Sequence, residues 1–139
     1  MNIHSALTHF PIALVSTSCI FELLAIKKPS ETLATVARYN LYFASFMAIF
    51  AFFSGYLSSS WLENYDSIPE QAIAAHYNGA RIACVLLLIC ASLCYFSERA
   101  IHAKRVFRFT YLVSLVLTML TFLYTGFLGG ALSATIVSQ

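Results

Sequence analysis

The chain has 139 residues, of which 60% are hydrophobic and 15% aromatic, but only 10% charged. Soluble domains carry about 25% charged residues, so one water-facing domain of this composition is excluded and an integral membrane protein is indicated. The net charge of +2 comes from short basic clusters, which leaves no arm suited to nucleic acid.

The chain enters an apolar run almost at once, through His4-Ser5-Ala6-Leu7-Thr8-His9-Phe10-Pro11. It lacks the basic opening of a cleavable signal peptide, and the first helix is expected to act as its own insertion signal. Four apolar segments of membrane-spanning length follow. The first is expected over about 10–26, with Pro11 in its first turn, where the missing N–H costs least. Lys27, Lys28 and Pro29 end it. The second is expected over about 36–61. The third runs from about 68 to 97 and opens on Ser67-Ile68-Pro69-Glu70, with Ser67 as cap and Glu70 closing a capping box. The fourth covers about 107–128. No strand-like alternation competes, and an open sheet does not stand in lipid.

Short connections make neighbours antiparallel. The expected fold is therefore an all-α membrane protein, a four-transmembrane up-down helix bundle forming one domain over 1–139. Lys27, Lys28 and Arg38 flank the first connection, and Arg99, Lys104, Arg105 and Arg108 the third. The second carries Glu63, Asp66 and Glu70 without a basic residue. Basic connections stay in the cytoplasm, so both termini and the acidic connection are expected outside it, in a multi-pass membrane protein. Trp61, Tyr65 and Tyr77 suit the outer interfacial belt.

This topology gathers chemistry at one end. His4, His9 and His76 fall on the outer side with all five glycines: Gly55, Gly79, Gly126, Gly129 and Gly130. His102 lies in the inner connection and reads as a solvated loop residue. His9 and His76 each stand near the outer end of a helix. His76, Ala80, Ala83 and Leu87 share one face, and His9, Ala13, Ser16 and Ile20 another. Two histidines above small residues suit bis-imidazole ligation of haem b between helices, with Arg81 reaching a propionate. The alternative is that the imidazoles hydrogen-bond across the interface. His4 is five residues before His9, about 140° away on a continuous helix. If Pro11 bends the segment, His4, His9 and His76 together make a copper or zinc site.

Glu22, an acid inside the first span, either pairs with Lys27 or a neighbouring helix or handles protons. Thr125-Gly126-Phe127-Leu128-Gly129-Gly130 reads as a glycine-rich C-terminal cap, or as bare backbone bordering a cofactor. Cys19, Cys84, Cys90 and Cys94 form no CxxC pair and read as buried small hydrophobes.

These residues resemble the bacterial membrane family catalogued as domain of unknown function 2231. The likeness rests on His4, His9, Phe10, Pro11 and Ile12; on Ser54 and Gly55; on His76 and Gly79; and on Thr125, Gly126, Gly129 and Gly130. Glu22 also matches an acid position. Ser5 stands where the family usually has proline, and Ala131 to Gln139 lacks the family's later His-Gly. Some relatives are joined to Rieske or cytochrome c domains. By analogy, the resemblance implies work beside an extracytoplasmic electron-transfer chain. The expected function is electron transfer through membrane-embedded haem b, without a catalytic residue set of its own. The expected partners are the lipid bilayer, a periplasmic Rieske-type or cytochrome c-type protein, and further copies or a larger complex. A non-catalytic accessory subunit is the alternative.

Overall fold

The structure, a computed structural model, describes residues 3–62, 70–99 and 104–137. They form four α-helices: α1 (Ile3–Lys27), α2 (Glu31–Leu62), α3 (Glu70–Arg99) and α4 (Lys104–Val137). All four are long and apolar enough to cross a membrane. The expected cap at Ser67, the residues Glu63, Tyr65 and Asp66, the Trp61 side chain and His102 lie outside the described residues.

Two helices depart from the sequence expectation in ways that matter for the site. α1 begins at Ile3, seven residues early, so Pro11 lies well inside the helix and is buried. Its missing N–H deprives only the Leu7 carbonyl, a defect that transmembrane helices tolerate among neighbouring helices. α4 continues to Val137, so Gly126, Gly129 and Gly130 are helix-interior residues. No glycine adopts a positive φ, which removes the C-cap reading. Elsewhere local chemistry sets the ends as usual. The Ser30 hydroxyl accepts from the Leu33 N–H at 3.4 Å to cap α2, and Pro29 separates α1 from α2.

The helices form a ring in which α1 packs most closely on α2 and α3 on α4; contacts between these two hairpins are sparser, and fewest between α2 and α3. The diagonal pairs, α1 with α3 and α2 with α4, make no close backbone approach among the described residues. The distribution of residues is that of a protein in lipid. Phe43, Phe46, Phe53 and Phe127 face outward. Small and polar side chains fill the interior, among them Ala44, Ala83, Cys90, Thr118 and Glu22. Apolar surface loses nothing by facing acyl chains, so close approach and hydrogen bonding decide what goes inside. Ser18 donates to the Ala37 carbonyl at 2.8 Å and Asn40 to Thr17 at 3.1 Å, both joining α1 to α2.

Candidate functional site: a two-histidine cavity between the hairpins

At the end of the bundle holding the N-terminus, a cavity of about 290 Å³ lies between the hairpins. Each helix supplies one part of it. His4 projects from α1 and His76 from α3, across the diagonal where the backbones are too far apart to pack. Their ring centroids are 6.3 Å apart and their planes 78° from parallel. α2 holds the first ring through a 2.9 Å bond between His4 Nδ1 and Ser54 Oγ. α4 holds the second through a 3.1 Å bond between His76 Nδ1 and the Thr125 carbonyl.

The partners determine the tautomers. A carbonyl only accepts, so His76 Nδ1 carries the proton. The Ser54 hydroxyl donates to the Ala51 carbonyl at 2.8 Å, so it too accepts from the imidazole, and His4 Nδ1 is the donor. With both Nδ1 atoms protonated, each Nε2 of a neutral ring presents a lone pair. Neither Nε2 has a hydrogen-bond partner among the described residues. Histidines that ligate metals are oriented in this way, one ring nitrogen tied to a protein acceptor and the other free.

The glycines are where the rings need room. An ideal Cβ on Gly55 would lie 2.8 Å from His4 Cε1, and one on Gly129 2.9 Å from His76 Cε1. On Gly79 it would meet Thr125 Oγ1 at 2.9 Å, and on Gly126 Ile12 Cδ1 at 2.9 Å. Gly130 meets nothing within 4 Å and borders the cavity. This contrast gives a signed expectation. Gly130→Ala should stabilise the protein by up to about 1 kcal/mol through helix propensity. Gly129→Ala should destabilise it by about 1–2 kcal/mol through overpacking, and should shift the His76 imidazole ¹⁵N resonances as its bond to Thr125 breaks. Unfolding in bicelles and histidine NMR measure both.

The sequence-expected residues divide as follows. The ring contact expected between His9 and His76 is made by His4 instead. α1 is helical from Ile3, so the roughly 140° between positions 4 and 9 persists; His9 is exposed and forms part of the cavity wall. Among the described residues no group of three His, Cys, Asp or Glu side chains gathers in metal-ligating geometry. Arg81 is absent from the wall of this cavity and lines a neighbouring groove.

Glu22 belongs to a second cluster towards the opposite end. It is fully buried and finds its partners on α4 rather than at Lys27. Arg108 donates to both carboxylate oxygens and Tyr111 donates to Oε1 at 2.9 Å. Neither partner was singled out for this role from sequence. The available signal was that an acid inside a span needs a partner, and Arg108 and Tyr111 lie three apart on one helix face.

A family model described as predicted membrane protein (DUF2231) matches residues 1–137. The chain belongs to this family. No curated protein and no solved structure matches it. Several of the residues on which the resemblance rests lie together in space. His4, Ser54, Gly55, His76, Thr125 and Gly129 are the ring-holding set, and Gly79 and Gly126 are the close approaches that let α3 and α1 reach α4.

Proposed function

We propose that this DUF2231 chain binds haem b in the cavity between its hairpins, where His4 and His76 would hold it, and serves as an electron-transfer protein of the bacterial inner membrane. The observation that carries this reading is the pair of oriented imidazoles with unpartnered Nε2 atoms. The ring centroids are 6.3 Å apart, a separation at which both imidazoles could serve one group held in the cavity. Haem bound by two histidines supplies reversible one-electron chemistry. The chain contributes the rest. Ser54 and Thr125 hold the rings and raise their basicity, Gly55 and Gly129 leave them room, and Ile12, Ala80 and Phe122 keep the cavity wall apolar. His9, on the same wall, is a candidate partner for a cofactor carboxylate.

The charge distribution supports an outward-facing site. Lys27, Lys28, Arg38, Arg99, Arg105 and Arg108 belong to the other end of the bundle, which the positive-inside rule assigns to the cytoplasm. The histidine end then faces the periplasm, where a Rieske-type or cytochrome c-type protein is the matching electron partner.

The test is an absorption spectrum with metal analysis on protein purified from haem-replete cells. A Soret band with about one iron per chain is expected. A colourless, iron-free protein ends this reading, and stoichiometric copper or zinc in its place would make the site a metal centre without porphyrin.

A further inference from the structure

Arg81 is a further charge within a membrane-spanning segment, and its surroundings differ from those of the paired Glu22 and Arg108. At 1.5 Å per residue, the 30 residues of α3 extend about 45 Å, against a hydrocarbon core of about 30 Å. With α3 centred in the bilayer, the Arg81 backbone lies about 9 Å inside the apolar region. The side chain is exposed. Its guanidinium carbon is 5.7 Å from the centroid of the Tyr77 ring, one turn towards the helix N-terminus, the direction in which a long side chain leans to reach the interface. Among the described residues the ion pairs are Arg38–Glu98 and Arg108–Glu22, so Arg81 has no carboxylate partner there.

Arg81 stands in a groove of about 310 Å³ between α2 and α3, the least closely packed neighbours in the ring. Ile49, Phe53, Val85 and Leu88 make its wall apolar, and Phe53 and Val85 are exposed at its lip. Its serine, Ser45, donates internally to the Leu41 carbonyl at 3.0 Å. An occupant that matches this groove has an apolar body and a single anionic head.

We propose that the groove holds one acyl chain of an anionic phospholipid whose phosphodiester pairs with Arg81. A guanidinium offers two parallel N–H donors to phosphate oxygens, and the snorkelling direction of Arg81 leads to the depth of the headgroups. Among the described residues that line the groove there is no acid to hold an ammonium, so a net-anionic lipid is preferred over a zwitterionic one. A carboxylate of a cofactor in the histidine cavity is a poorer match, because Arg81 does not line that cavity.

The test places the full chain in nanodiscs of equal phosphatidylglycerol and phosphatidylcholine and counts lipids retained by native mass spectrometry in mild detergent. Wild type should retain phosphatidylglycerol over phosphatidylcholine by at least tenfold. Arg81→Gln should retain one phosphatidylglycerol fewer, Arg81→Lys should restore part of the difference, and Val85→Trp should lose the lipid by filling the groove while keeping the charge. Circular dichroism establishes that each variant is folded. Equal retention of the two lipids by wild type, or unchanged retention by Arg81→Gln or Val85→Trp, overturns the proposal. The count does not depend on colour or iron, so its outcome is separate from that of the haem reading.

Discussion

Glu22→Leu is expected to destabilise the bundle by about 3 kcal/mol, the low end of the cost of removing one partner from a buried ion pair, because the Arg108 side chain is 37% exposed. The carboxylate is fully buried and accepts from Arg108 and from Tyr111, itself fully buried. Leucine leaves a guanidinium without its counter-ion and a phenol O–H without an acceptor. The loss at the phenol is unrelieved, because Tyr111 is fully buried, whereas the Arg108 side chain is partly exposed and close to the start of α4, from where it can reach the interface. Glu22→Gln should cost less, because its amide oxygen can still accept from Tyr111. The triple variant Glu22→Leu, Arg108→Met, Tyr111→Phe should recover most of the loss, since it removes all three polar groups together. By contrast Arg38→Ala should change stability by less than about 1 kcal/mol, because its pair with Glu98 is partly exposed on both sides. Unfolding of reconstituted protein in mixed micelles, compared across these variants, checks the series. A Glu22→Leu protein as stable as wild type would mean the carboxylate is not the tie between α1 and α4.

His76→Ala is expected to abolish the Soret band and reduce bound iron to background. On the haem reading this imidazole is one of the two that would hold the cofactor, and α3 carries no other histidine. His4→Ala should have the same effect to within tenfold, whereas His9→Ala should keep both band and iron. The His9 control is the decisive arm, because the two α1 histidines stand about 140° apart around the helix and about 7.5 Å apart along it. If His9→Ala loses the cofactor while His4→Ala keeps it, α1 must sit about 140° from the orientation described here. Ser54→Ala should retain haem with a weaker hold, since the ring loses its orienting acceptor but not its ligand atom; a 10–100-fold loss in affinity is the scale for such partners.

The contribution of the sequence can be read from particular residues. The alternating basic and acidic connections, the apolar runs and the glycines at one end were legible because each depends on composition along a single segment. His76, Thr125 and Gly129 were recognisable as site residues for the same reason, lying at one depth on neighbouring spans. The start of α1 was not legible. His4-Ser5-Ala6 is weakly apolar and precedes a proline, so local rules end the helix there, whereas packing against α2 and α4 carries it back to Ile3. The end of α4 was misjudged by the same logic. Glycines that mark a helix terminus in water serve within a membrane bundle as points of close approach.

The membrane class of this protein, its four spans and the end at which its chemistry gathers were determined by the sequence alone, because transfer into lipid sums residue by residue along each span. Which histidine of α1 meets His76, and which residues receive the buried charge of Glu22, was decided only by the tertiary structure. Both depend on the rotational phase of one helix against another, which is set by contacts between residues as far apart as Glu22 and Tyr111.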